Sequence, residues 1–315
     1  MSLPHRRGRG RRRRDLRGDA QQTLQESNQA SARDAVSLRD SIHLVRDHAS
    51  GVEAIRARFA GHAYDMHRHD DWLVGVTDHG IQDFFCRGVR RRSTPGRVIL
   101  IEPEEAHDGE AGADNGFAYR MLYLPRTWLR GGLERTWDDD IGFRTTLTDD
   151  VRLAAAIRAA WMALSYAVPQ LTRDAVLDAV IGALRPHLGR PTRRLPASHD
   201  PPVARRARET LHAAPEANIG LSELARSAGA TDRFQLARAF RASYGTTPHA
   251  YLVQLRLVRA REHLARGMPP ADVAAACGFA DQSHLGRWFR RAYGLTPAAY
   301  RACCTNVRDT SAAFT

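Results

Sequence analysis

The sequence predicts an α+β chain in two parts. One is an N-terminal small antiparallel β-barrel with two packed helices; the other is a C-terminal all-α domain of two helix-turn-helix motifs joined by a linker helix. Three observations lead there. Between Val52 and Leu124, short runs of Val, Ile, Phe and Tyr are broken by Gly, Pro and Asp, the pattern of short strands. After Asp149 the apolar spacing changes to that of helices. Finally, Leu224–Tyr251 matches Val273–Tyr300 without gaps at an offset of 49 residues, with thirteen of 28 pairs identical.

The 315 residues are enough for two separate cores. The net charge is +12, and all 47 basic residues are arginine because the chain has no lysine. Placement says more than the total. Residues 201–301 carry fifteen arginines against seven acids, whereas 21–200 carry 23 against 25. A basic domain joined to a near-neutral one points to a nucleic-acid reader attached to a part that does not touch nucleic acid. Cys86, Cys277, Cys303 and Cys304 have neither the spacing of a disulfide framework nor that of a zinc site. No apolar stretch follows Arg11–Arg14, and Arg158 interrupts the longest Ala/Leu-rich segment. The expectation is a cytoplasmic protein without a membrane span.

In chain order, residues 1–50 are polar and arginine-rich and read as a disordered tail. Strands are expected at Val52–Phe59, Leu73–Thr77, Ile81–Cys86, Arg97–Ile101 and Tyr119–Tyr123. Val151–Ser165 and Leu171–Leu188 read as amphipathic helices that pack on the barrel or pair two copies of the chain into a homodimer. The first domain thus covers 51–188. Four prolines between Gly189 and Pro202 mark a linker at 189–201, followed by a DNA-binding domain at 202–303 and a tail at 304–315.

Each copy of the repeat has a short alanine-rich helix, a glycine at the turn (Gly229 or Gly278) and a longer helix opened by an aspartate cap (Asp232 or Asp281). That is a helix-turn-helix. At 100° per residue, Leu236, Ala239 and Phe240 share one side of the first long helix, and Phe234, Ala237, Arg238 and Arg241 the other. In the second, Leu285, Trp288 and Phe289 point inward, and Ser283, Gly286, Arg287 and Arg290 outward. An arginine-bearing face opposite a packed face is what a helix needs to enter a major groove. A single helix from Pro248 to Arg266, capped by Thr247, joins the copies. Its length of about 28 Å is close to the roughly 34 Å of one DNA turn, so one chain could read two successive grooves.

The segments LSELARSAGATDRFQLARAFRASYGTTPHAYLVQLRL and ADVAAACGFADQSHLGRWFRRAYGLTPAAYR strongly resemble the DNA-binding domain of the AraC/XylS family of transcription regulators. By position, the resemblance implies DNA contacts from Arg233, Phe234, Ala237, Arg238 and Arg241 in the first recognition helix and from Gln282, Ser283, Arg287 and Arg290 in the second. Ala237 and Gly286 depart from the larger polar residues often found there, which favours positioning over base reading at those two places. The resemblance also implies double-stranded DNA and RNA polymerase as partners.

His67-Arg68-His69-Asp70, Thr94-Pro95-Gly96 and Ile101–His107 resemble the cupin-type sensor domain of many such regulators. This implies a small-molecule effector in the barrel, with His67, His69, Trp72, Phe84, His107 and Tyr119 as candidate pocket residues. His67 and His69 would share one side of a strand, with His107 approaching from another. Trp72–Gly75 offers no carboxylate to complete a metal set and Asp78 lies late, so the histidines are expected to be polar lining, with no metal and no cofactor. An effector-controlled, non-enzymatic regulator, with activator as the expected mode, is therefore the leading reading. Beside it stand a metal-dependent cupin enzyme with a DNA-binding appendage, and a constitutive regulator whose barrel only dimerises.

Overall fold

The computed structural model describes residues 40–133, 141–189 and 201–305, and every statement below concerns these residues. The arginine-rich stretch 1–39, most of the expected linker and residues 306–315 lie outside them.

Two antiparallel sheets form the first half. The larger has the order β1 (Ser41–Arg46), β2 (Glu53–Phe59), β9 (Phe117–Leu124), β4 (Trp72–Gly80), β7 (Val98–Ile101), β11 (Leu147–Thr148). The smaller runs β3 (His62–His67), β8 (His107–Ala111), β5 (Gln82–Cys86), β6 (Val89–Ser93). A short pair, β10 (Gly142–Phe143) with β12 (Leu188–Gly189), lies beyond them. This is the cupin-like antiparallel domain that the sequence predicts. Alternation along the strands of the larger sheet sends Ile55, Leu73, Ile99, Tyr119 and Met121 to the interior, where they meet Tyr64 and Phe84 of the smaller one. The Tyr64 and Tyr119 hydroxyls bond across it at 2.6 Å.

The opposite face of the larger sheet presents Val52, Ala54, Val74, Val76, Val98, Leu100 and Leu122. Helices α1 (Arg126–Gly132), α2 (Val151–Ser165) and α3 (Gln170–Leu184) cover it, burying Leu153, Ile157, Leu177 and Val180. Of the two alternatives for the helix pair, packing on the barrel is what this half of the chain shows. The α3 helix ends before the expected Leu188, because Pro186 cannot continue the backbone ladder and Arg185–His187 turns as a 3-10 segment.

Two further differences from expectation have a physical cause. Strand β1 falls inside the segment read as a tail: charged neighbours hide its alternation, yet Leu44 is buried and the strand pairs along its length with β2, Ser41 opposite Arg58 and Arg46 opposite Glu53. Strand β6 was not expected either, and β3 and β8 only as the strands carrying His67 and His107; His69, expected on the same strand as His67, lies beyond the end of β3. HAYDMH, VRRRS and HDGEA offer too few apolar residues to stand out, since their outer face meets solvent.

The second half is helical: α4 (Pro202–Ala213), α5 (Leu221–Ser227), α6 (Arg233–Tyr244), α7 (Pro248–Ala265), α8 (Pro270–Ala276), α9 (Gln282–Tyr293) and α10 (Pro297–Thr305). The expected boundary at 303 thus moves to the end of α10. A separate core gathers α4 to α6 around Leu236 and Phe240. The core of α8 to α10 is different: it is continuous with the barrel interior.

Candidate nucleic-acid interface and the sensing domain beside it

Each recognition helix starts and stops on matching chemistry. The Asp232 carboxylate accepts the amides of Phe234 and Gln235 at 2.7 Å each, and Asp281 accepts the His284 amide at 2.7 Å. Both helices end on a left-handed glycine, Gly245 (φ 69°) and Gly294 (φ 71°). Between these caps Leu236, Phe240, Leu285 and Phe289 are buried. On the other side Arg233, Phe234, Arg238, Arg241, Gln282, Ser283, Arg287 and Arg290 are exposed, and Ala237 is half-buried. Trp288, expected inward, is half-buried and donates to His284 at 2.9 Å. Helix α7 between the motifs has 18 residues, a length of about 27 Å.

Residues to which the sequence reading gave no role hold α7, the second motif and the end of α6 against the barrel. Arg261 of α7 reaches Glu53 of β2 at 2.6 Å and Asp71 at 3.0 Å. Its guanidinium lies 4.8 Å from the Tyr123 ring, 5.6 Å from Tyr293 and 5.7 Å from Tyr300. Glu53 also pairs with Arg46 at 2.6 Å and accepts the Tyr300 hydroxyl. Burial alone would raise the Glu53 pKa, but the adjacent Arg261 guanidinium outweighs it and holds the group below the ordinary carboxylate value. Around this centre Arg68 donates to the Tyr244 carbonyl at 2.7 Å, Gln254 to the Met66 carbonyl at 3.3 Å, and Arg291 pairs with Asp65 at 3.1 Å. The signal in the sequence was an arginine among the apolar residues of α7 and a glutamate between Val52 and Ala54, both of which invite a buried ion pair.

Inside the barrel, the structure brings His67, His69, Phe84, His107 and Tyr119 around one cavity. Trp72 does not join them. Strand alternation gives the interior to Leu73, and Trp72 packs edge-on against Phe143 on the other side of the sheet, ring centroids 5.0 Å apart. The late carboxylate Asp78 is also turned away, held by Arg120 and Arg158. Burial and mutual repulsion lower the pKa values of His67 and His69, and burial lowers that of His107, so all three imidazoles stay neutral. The cavity they share is only about 20 Å³. A larger cleft of about 340 Å³ lies on the seam, where Arg68, His69 and Glu104 of the barrel face His212, Tyr251 and Gln254 of the helical half.

A family model of the AraC-like ligand-binding domain matches residues 50–184, and one of a helix-turn-helix domain matches residues 224–302. The chain belongs to the AraC/XylS family of transcription regulators. It is an AraC-type DNA-binding regulator with an N-terminal ligand-binding domain. An uncharacterised HTH-type transcriptional regulator of Bacillus subtilis, YbfI, is 24% identical over 225 residues, 71% of this chain and 82% of that one. A structure of apo ToxT from Vibrio cholerae covers 84% of this regulator and 97% of its own chain with a TM-score of 0.50 and 12% identity, a likeness of fold. The DNA-binding domain of AdpA, in complex with a target DNA, is 30% identical over 32% of this regulator and 90% of that chain, with a TM-score of 0.30. No helix among the described residues of the regulator is long and apolar enough to cross a membrane.

Proposed function

We propose that the regulator reads two adjacent major grooves of one operator with α6 and α9, and that its sensing domain controls this reading through its hold on the second motif. The carrying observation is that each recognition helix has an exposed, arginine-bearing face opposite a buried one. In this reading Arg287 and Arg290, with Gln282 and Ser283, supply base and phosphate contacts in one groove. Arg233, Phe234, Arg238 and Arg241 supply them in the other, where the small Ala237 leaves more positioning than base reading. The α7 helix sets a spacing close to one DNA turn.

A small-molecule effector would sit in the seam cleft rather than in the barrel interior. Ligand pockets run to several hundred Å³, and 20 Å³ admits no organic molecule, whereas 340 Å³ does. A ligand there touches both halves, so it can favour one docking of the second motif over another, and that difference in affinity is what coupling requires. The protein then acts without catalysis, in the compartment that holds the DNA, and with RNA polymerase as its downstream partner. A homodimer would use the apolar residues that α2, α3 and their connection leave outside, Val151, Met162, Tyr166 and Leu171.

The test is operator binding by purified protein to fragments selected from genomic DNA. Arg287→Ala should weaken binding by about 1–3 kcal/mol and relax the preference at one base position. Unchanged affinity together with unchanged base preference would refute the reading.

A further inference from the structure

We propose that His67, His69 and His107 bind one divalent first-row transition-metal ion inside the barrel, with zinc the best fit. The inference stands apart from the DNA-reading proposal and from the effector cleft, and it departs from the sequence expectation that these histidines are plain polar lining.

His67 ends β3 and His107 opens β8, and the two are direct cross-strand partners. His69 follows β3 and turns its ring onto both, with centroids 4.7 Å from His67 and 5.2 Å from His107. One ring nitrogen from each lies within 4.8 Å of the other two, and all three residues are buried. Two rings are aimed by the backbone. His67 Nδ1 is 2.7 Å from the Asp65 carbonyl and His107 Nδ1 is 2.9 Å from the Glu105 carbonyl, in each case the residue two before. A carbonyl only accepts, so each Nδ1 carries the proton and each Nε2 presents a lone pair to the shared space. This is the outer-sphere support that metal-ligating histidines use.

Without a cation the polar groups do not balance. His67 Nε2 and His69 Nε2 are 2.9 Å apart, and a single proton can serve that contact. His69 Nδ1 is then left buried with no partner. Asp108 also lines the cavity, but its carboxylate accepts the Phe85 amide at 2.6 Å. A metal ion bound by three nitrogens at about 2.0–2.1 Å in tetrahedral geometry needs those nitrogens about 3.3 Å apart. The closest pair is near that value, and small ring rotations bring in the third. The cavity of about 20 Å³ has room for an ion and, at most, a water-sized fourth ligand. Three neutral imidazoles with no carboxylate or thiolate select zinc, copper, nickel, cobalt or ferrous iron over calcium and magnesium.

The ion would act next to the DNA-binding half. The His69 ring lies 5.4 Å from that of Tyr293, the last residue of the second recognition helix. Turning His69 onto a metal therefore changes the surface against which α9 ends.

The experiment uses the full chain, stripped with a chelator and titrated with cobalt(II), then with zinc(II). The expected result is one cobalt per chain with the intense visible bands of a four-coordinate site, displaced by an equivalent of zinc. His107→Gln and His67→Gln should each weaken binding on the order of 100-fold, while His48→Ala, at an exposed position, should leave it unchanged. Circular dichroism checks that the variants fold; if they do not, the wild-type spectrum and stoichiometry decide. Absence of a four-coordinate cobalt spectrum in the wild-type protein, or full binding retained in both folded variants, overturns the proposal. Operator affinity of the stripped protein is measured separately, so failure of this site is distinct from failure of the DNA-reading proposal.

Discussion

In the first copy of the repeat, Phe240 packs edge-on against Tyr244 and Tyr251 with ring centroids 4.7 and 5.4 Å apart; in the second, Phe289 packs against Tyr293 and Tyr300 at 4.6 and 5.5 Å. The partners of the tyrosines then differ. Arg208 and His212 of α4 reach the Tyr251 hydroxyl at 2.9 and 2.8 Å, with the Arg208 guanidinium 5.9 Å from the Tyr244 ring. In the second copy the Tyr300 hydroxyl goes to Glu53 of the barrel, and the guanidinium beside the rings is that of Arg261. The barrel thus occupies the place that α4 fills for the first copy. One module stands on its own core and meets the barrel through polar contacts such as Arg68 to the Tyr244 carbonyl and Arg208 to Glu104, whereas the other shares the core of the sensing domain, so a change in the barrel acts more directly on the second than on the first.

The most severe break of this asymmetry is Glu53→Ala, which leaves the buried Arg261 with Asp71 as its remaining carboxylate and removes the acceptor of the Tyr300 hydroxyl. It should cost about 3–5 kcal/mol in denaturant unfolding. Amide exchange should rise in α9 and α10 before α6; equal protection across both motifs would remove the asymmetry. The pH dependence has a definite sign. Glu53 titrates below an ordinary carboxylate when folded, so its contribution is fully present above the ordinary value and is lost as pH falls through the folded one. The variant should lose that acid-side part of the stability profile.

The cap glycines give a matched pair. A Cβ at Gly294 would overlap the Ile42 side chain of β1, whereas one at Gly245 meets open space. Gly245→Ala should cost about 1–2 kcal/mol for its left-handed backbone alone, and Gly294→Ala about 1–3 kcal/mol more for the overlap. Equal melting shifts would contradict the close docking of the second motif. On the DNA side, Arg238→Ala should weaken operator binding with less change in base preference than Arg287→Ala, by about 1 kcal/mol, in a competition assay over mutated sites. The smallest effect is expected from Tyr251→Phe, about 0.5–1.5 kcal/mol of stability, with Tyr300→Phe costing more because Glu53 loses a donor.

The helical half was the more legible part. Its period, its Asp–Gly caps and its duplication are local, and Arg233–Tyr244, like Val151–Ser165 in the first half, follows from spacing alone. The barrel was legible where strands carry several Val, Ile, Leu, Phe or Tyr residues, as β2, β4, β5, β7 and β9 do. Strand β6, the flanked β1 and the full extent of the polar β3 and β8 show themselves only when paired. Candidate pocket residues fared in the same way: the histidines are close in sequence to their strand ends, but Trp72 could be assigned to the correct face only once the register was known.

Sequence alone determined the two-part organisation, the paired motifs and the faces that carry Arg238 and Arg287, because periodicity and capping act within a few residues of the chain. Tertiary structure decided that the second motif shares a core with the barrel, that Arg261 meets Glu53 across 208 positions, and that three histidines converge on a space too small for an organic ligand. Burial of charge and the size of a cavity depend on surfaces brought together from distant parts of the chain, and no local pattern records them.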